Sequence, residues 1–384
     1  MAVKTPAPAP GDAGRAGGAA SKTDVVGSGA TSGEAPVGTG GFLRRHRKAA
    51  GTVLGAAAIL GLVYYVIPQF AGLGPTLRRL RAGNLWWLGL GVVAEALSIG
   101  GDVVLLRGVF SRPGSRIGWK ASYQITMAGT AATKLFATAG AGGIALTVWA
   151  LRASGLNDAE VATRLVCFEI LEYGVYMGAM VFFGLALWFG VFAGPAPIGV
   201  TLIPAVFGFV VILVVLSMLF AEAQVERVLT ACADRSSGRR QRWWRRAATV
   251  PRSLRSGLTE AIAMVRRRDP SLLGTLAAWG FDIAALWASF RAFGHSPPPA
   301  VLVMGYYVGT LGNALPLPGG VGGVEGGMIG AFLAFGVNGP LTVLAVLAYR
   351  TISYWLPTAP GAIAYIQLRG TVRGWRSKPV GRTG

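Results

Sequence analysis

Residues 313–327 read Asn313-Ala314-Leu315-Pro316-Leu317-Pro318-Gly319-Gly320-Val321-Gly322-Gly323-Val324-Glu325-Gly326-Gly327, a break set inside an apolar stretch that runs from 300 to 336. Two prolines and a glycine cluster cannot continue a helix, yet the residues on both sides are too apolar for a solvated loop. Apolar helix on each side of such a break reads as a hairpin that enters a membrane and turns back. A second stretch, 121–151, has the same form and is broken at Ala139-Gly140-Ala141-Gly142-Gly143. Gly140, Gly142 and Gly143 precede Gly320, Gly322 and Gly323 by 180 positions, as Asp102 precedes Asp282 and Gly129-Thr130 precedes Gly309-Thr310. One inserted residue later, Glu169 falls opposite Arg350. The chain reads as an internal duplication.

Around the hairpins lie uninterrupted apolar runs of the ~20 residues needed to cross a hydrocarbon core. They fall at about 49–70, 85–106, 161–189, 198–220, 271–293 and 341–367. Over the whole chain 53% of residues are apolar and 14% charged, which excludes an ordinary soluble domain. The fold class expected is therefore all-α, a polytopic membrane bundle of six spans and two broken hairpins. Its first repeat covers about 85–189 and its second about 271–367.

Arginine and lysine orient the spans, because short cytoplasmic loops retain them. The cluster Phe42–Lys48, the group Arg107, Arg112, Arg116 and Lys120, the segment 222–269 and the group Arg369, Arg373 and Arg376 are assigned to the cytoplasm. Gly194–Pro197 and residues 294–299 carry no Asp, Glu, Lys or Arg and are assigned outside. Arg78, Arg79 and Arg81 run against this scheme and are read as an amphipathic interfacial segment. The first hairpin then enters from the cytoplasm and the second from outside, an inverted-topology repeat whose paired breaks point to a midplane binding site. Residues 1–41, rich in Ala, Pro, Gly, Ser and Thr, are expected to form a disordered cytoplasmic tail. The membrane domain is expected over 42–370, with 222–269 as a basic cytoplasmic loop and 371–384 as a second cytoplasmic tail. The net charge of +20 is thereby topological and calls for no nucleic acid partner.

The break at 313–327, followed by Ala348-Tyr349-Arg350-Thr351-Ile352-Ser353-Tyr354-Trp355-Leu356-Pro357, resembles the membrane region of the lysylphosphatidylglycerol synthase family, flippase-like integral membrane proteins. The resemblance covers roughly 45–370. It implies translocation of a lipid or lipid-linked substrate across the cell membrane. The synthase chemistry is not implied, since no segment after 370 has room for the soluble aminoacyl-transfer domain. In the first hairpin Phe136 and Ala145 stand where the family often has a proline and a glutamate.

Ionisable side chains within apolar spans are costly and mark cavities or partners. Arg350 offers a planar fork of donors for a phosphate. Glu325 orients the hairpin or meets a cationic group, or else forms a structural ion pair with Arg350. Lys134 either lines the same cavity or snorkels to the cytoplasmic interface, and Glu169 and Glu172 are candidates to pair with it. With Pro318, Gly319, Gly320 and Gly322, the residues Arg350, Glu325, Lys134 and Glu169 make the candidate substrate-binding set. Asp102, Asp282, Glu172 and Glu95 form a candidate structural network. Tyr306-Tyr307, Trp86-Trp87 and Trp243-Trp244 read as interfacial belt residues.

No cofactor, metal site or catalytic constellation is expected, and no phosphate-binding loop is present, so transport would be passive, ion-coupled or driven by a partner. Membrane lipids, among them anionic phospholipid or a lipid-linked sugar, are the expected partners, together with a possible protein partner in the membrane. The alternative function is an intramembrane scaffold for a lipid-modifying or glycosyl-transfer enzyme.

Overall fold

The computed structural model describes residues 83–111, 116–135, 141–314 and 320–377. The span at 49–70, the tail 1–41, Arg78 to Arg81, Phe136, Pro318, Gly319 and the final residues from 378 lie outside the described residues. All regular structure among the described residues is helical. Asn84 Oδ1 accepts from the Trp86 amide (3.0 Å) and starts α1, Leu85–Phe110. Next come α2, Trp119–Leu135, and α3, Ala141–Ala153. A capping box between Asn157 and Glu160 opens α4, Asp158–Trp188. A short 3₁₀ turn, Ile198–Val200, leads into α5, Leu202–Asp234. The order continues with α6, Gly238–Ala247, α7, Val250–Arg266, α8, Leu272–Phe293, and α9, Pro299–Thr310. Last are α10, Gly323–Ala334, α11, Gly339–Arg350, and α12, Leu356–Ser377.

Four of these helices, α1, α4, α5 with its 3₁₀ lead, and α8, are long and apolar enough to cross a membrane. They match four of the expected spans. The stretch expected at 341–367 is helical throughout but not uniform: a π-helical turn, Thr351–Trp355, joins α11 to α12. Segment 222–269 is helical rather than a loop. α5 continues through Asp234, and α7 packs against α4 where Gly257 meets Val166 and the Thr163 carbonyl. Arg252–Glu226 (2.8 Å) and Arg255–Glu222 (2.5 Å) tie α7 to α5 and neutralise part of the segment's basic charge.

The helices recur at the spacing of the duplication. α2 begins at Trp119 and α9 at Pro299, and each packs side by side with the next helix as an antiparallel hairpin. In the second hairpin Gly305 lies on Phe332, Gly309 on Met328 and Gly312 on Gly323. In the first, Gly143 lies on Gly129 and Thr133. Each hairpin also packs on the closing helix of the other half: α2 on α12, where Gly361 meets Ala131, and α9 on α4, where Tyr176 donates to the Tyr307 carbonyl (2.7 Å). Two apolar clusters follow, one about Phe290, Tyr306 and Phe332 and one about Phe110, Ile125 and Leu151.

Between the hairpins α1 and α8 cross antiparallel. Gly91 approaches Ala285 and Ala288, Gly101 approaches Gly274 and Ala278, and Gly108 approaches Ser271. A Cβ on Gly101 would stand 2.6 Å from the Ala278 amide nitrogen, and one on Gly274 would stand 2.6 Å from the Gly101 carbonyl oxygen. Ser98 Oγ donates across the crossing to the Ala278 carbonyl (2.8 Å). Small residues permit such contact between membrane helices. Gly101→Val is therefore expected to cost about 1–3 kcal/mol or more by overpacking, read as a lower unfolding temperature in detergent. Gly89→Ala, where an added methyl meets nothing within 4 Å, leaves that temperature unchanged.

Candidate functional site

The paired breaks open a cavity of about 660 Å³ that both halves line. Positions matched by the duplication meet there: Thr130 with Thr310, Glu169 with Arg350, and Tyr173 with Tyr354. Asp102, Lys134, Glu172, Asn313 and Gly320 also face it, amid a mostly apolar and aromatic wall. Thr130 and Thr310 were visible in the duplication itself. Asn313 opens the quoted break but was not singled out, and Tyr176 and Trp279 had no signal in the sequence beyond ordinary helical positions.

Arg350 sits at the end of α11, where the π turn begins. Its Nε donates to Glu325 Oε1 (2.7 Å), the two side chains being 11% and 18% exposed. The second oxygen of Glu325 accepts from the Gly322 amide (2.7 Å) and so caps α10. Gly320 and Gly322 have φ of +67° and +83°, a left-handed backbone that glycine adopts without cost. The break thus turns the chain so that Glu325 arrives at once at the helix start and at the guanidinium. Arg350 also lies over the Tyr354 ring, its guanidinium carbon 4.7 Å from the centroid. Glu325 joins the cavity only through Arg350, and Gly322 stands exposed beside it.

Lys134 lines the cavity, the first of the two expectations for it, and does not snorkel to the interface. Its ammonium reaches inward, donating to the Ser353 carbonyl (2.5 Å) at the π turn, and lies 5.7 Å from the Tyr354 ring centroid. Tyr354 Oη returns a hydrogen bond to the Lys134 carbonyl (2.6 Å). Pro357, four residues after Ser353, has no amide hydrogen to offer the Ser353 carbonyl, and that carbonyl gives the amine a buried acceptor. The charged neighbours of Lys134 are Glu95, Arg350, Asp282 and Asp102, rather than Glu169 and Glu172.

Glu172 instead faces Thr275 and Trp279. Its backbone carbonyl accepts from Trp279 Nε1 (3.1 Å), while Glu172 Oε1 and Thr275 Oγ1 are buried without a hydrogen-bond partner among protein atoms. Asp282 accepts from Tyr306 Oη at Oδ2 (2.6 Å) and from Tyr349 Oη at Oδ1 (2.8 Å), joining α8 to α9 and α11. Tyr306 and Tyr307 are consequently 1% and 2% exposed, inside the bundle and not in an interfacial belt. Trp86 and Trp243 are exposed as a belt would have them. Cys167 and Cys232 are both free thiols.

A family model described as the lysylphosphatidylglycerol synthase transmembrane region matches residues 52–361. Curated proteins named UPF0104 membrane protein, from Methanothermobacter thermautotrophicus strain Delta H, are similar in part. One is 39% identical over 93 residues, 24% of this chain and 26% of the relative. Another is 26% identical over 215 residues, 51% of this chain and 57% of the relative. The chain thus spans between about a quarter and somewhat over half the length of the curated relatives it matches.

Removing one partner of a sequestered ion pair leaves the other unpaired, typically at a cost of about 3–5 kcal/mol. Arg350→Gln is expected to lower the amount of folded protein in the membrane and its unfolding temperature. Adding Glu325→Gln restores both, because Gln keeps the oxygen that caps the Gly322 amide. Immunoblotting of membranes and thermal unfolding of the purified variants check this.

Proposed function

This chain belongs to the lysylphosphatidylglycerol synthase transmembrane-region family, and on that premise we propose that it binds a phosphate-bearing lipid in the cavity and carries it across the membrane. The observation that carries this reading is the chemistry of the cavity. Two cations, Arg350 and Lys134, face one space whose remaining wall is mostly apolar and aromatic. A guanidinium fork and an ammonium suit phosphate oxygens, and a volume of about 660 Å³ falls within the range of small-ligand sites. Phe207 of α5 and Tyr173 of α4 line the cavity and are about half exposed on the outer surface of the bundle. Entry between those helices would let a head group reach the cavity while its acyl chains stay among the lipids. The exposed apolar face of α5, with Phe209, Val210, Leu213 and Val214, extends that surface.

The inverted-topology arrangement supplies two ways into one site. The hairpins recur at one spacing, cross-pack on the opposite half and face one cavity with Thr130 and Thr310. Rocking of one half against the other would expose the cavity alternately. In this reading both termini and residues 222–269 are cytoplasmic, and residues 294–299 are outside.

Reconstituted liposomes carrying fluorescent lipids of varied head group test the transport. Phosphate-bearing lipids are expected to cross faster with the protein than without it, and a lipid with an uncharged sugar head and no phosphate is not. Arg350→Lys keeps the charge opposite Glu325 but loses the bidentate fork. It is expected to slow transport about tenfold or more, the worth of one charge-assisted hydrogen bond, at undiminished membrane abundance. Equal rates for all head groups would refute the site.

Cysteine labelling tests the orientation. Ser236→Cys is expected to react only from the cytoplasmic side and Ser296→Cys only from outside. Reaction of Ser236→Cys from outside in intact cells refutes it.

A further inference from the structure

Glu95, on α1, is 7% exposed, and its Oε2 atom has no hydrogen-bond partner among protein atoms. The register of the α1–α8 crossing, in which Gly91 meets Ala285 and Ser98 bonds to the Ala278 carbonyl, sets its carboxyl against that of Asp282. Asp282 is already engaged on both oxygens, by the hydroxyls of Tyr306 and Tyr349. Ionised carboxylates only accept hydrogen bonds. Two carboxyls facing each other away from water can therefore bond only with a proton between them. With two tyrosine donors on Asp282, the negative charge rests there and the proton on Glu95.

The other groups facing the pair do not remove that need. Asp102 on α1 adds a further carboxyl, and Tyr349 on α11 brings a neutral hydroxyl that is spent on Asp282. Lys134 on α2 brings one positive charge, but its ammonium is bonded to the Ser353 carbonyl. Three carboxyls thus share the field of one ammonium. The place related to Glu95 by the duplication is Thr275, so the matching position beside Asp102 carries a threonine, which faces Glu172 of α4.

We propose that Glu95 and Asp282 form a proton-binding site, holding one proton between their carboxyls, and that its loading is coupled to occupancy of the cavity. The coupling rests on the lipid reading above; the proton site does not. Asp102 and Lys134 belong to both places, since each lines the cavity and each neighbours the pair. A phosphate arriving at Lys134 cancels the one positive charge that favours ionising the pair. Anion and proton then favour each other's binding, and by linkage the effect is reciprocal. The protein would take up a proton with each anionic head group, and a proton gradient would drive the cycle without nucleotide hydrolysis.

Infrared spectroscopy of the purified full chain in phosphatidylcholine liposomes tests the site. At neutral pH the wild type is expected to show the carbonyl stretch of a protonated carboxylic acid that moves when glutamate is labelled with ¹³C at its carboxyl. Glu95→Gln removes this component and Glu172→Gln leaves it. Asp282→Asn, whose amide donates to Glu95, abolishes it as well, so the result stands even if one variant does not fold. Absence of the labelled band in the wild type, or its persistence in Glu95→Gln or Asp282→Asn, overturns the proposal. Transport of fluorescent phosphatidylglycerol under an imposed pH gradient tests the coupling. The wild-type rate is expected to change several-fold with the gradient, and the Glu95→Gln rate to be the same with and without it. A gradient-independent wild type overturns the coupling. A protein that shows the band but moves no lipid keeps the proton site and refutes the lipid function instead.

Discussion

At Gly101 and Gly274 two helix backbones lie against each other with no side chain between them, and the rest of the bundle is arranged about that contact. In a membrane no difference in solvation draws apolar helices together, so close backbone packing and buried hydrogen bonds do that work. The glycines allow the approach, and the bond from Ser98 to the Ala278 carbonyl secures it. Because α1 and α8 run antiparallel there, positions on one side of the crossing in α1 meet positions on the other side in α8. That places Glu95 against Asp282 and sets a hairpin on either flank. A bulky residue at either glycine would part the helices and pull apart the polar groups they bring together.

The hairpins convert this arrangement into a cavity. A continuous helix would fill the space; a helix that stops and returns leaves it open and directs its ends at the centre. The cost is a set of charged and polar groups held away from water, and each needs a partner. Arg350 takes Glu325, which also caps α10. Lys134 takes the carbonyl of Ser353 at the π turn, and Asp282 takes two tyrosine hydroxyls. The partners come from different segments, so these bonds hold the hairpins to the closing helices while the lining stays polar enough to receive a head group. The π turn serves both ends: it follows Arg350 directly and supplies the acceptor for Lys134.

Hydropathy and turn chemistry are properties of short stretches, and what depends on them was legible in the sequence. The spans at α1, α4, α5 and α8, both hairpins, the prolines and glycines at their breaks and the spacing that pairs Thr130 with Thr310 could all be read from the chain. So could the belonging of Arg350 with Glu325, because a lone arginine and a lone glutamate in neighbouring apolar segments each need a counter-charge. The direction of a side chain around a helix is another matter. It depends on which distant helix packs against that face, and hydropathy is blind to this. Tyr306 and Tyr307 have the composition of belt residues but point at Asp282 and Tyr176. Lys134 has a stem long enough to snorkel but finds an acceptor nearer, in a π turn more than two hundred positions away. The basic segment at 222–269 shows its charge in the sequence, but not that Glu222 and Glu226 pair with Arg255 and Arg252 on a helix packed against α5. The sequence by itself determined where the chain crosses, breaks and repeats, since those follow from local apolar length and backbone chemistry. Only the tertiary structure decided which buried charges meet, because that depends on the antiparallel crossing of two helices whose contacting residues lie nearly half the chain apart.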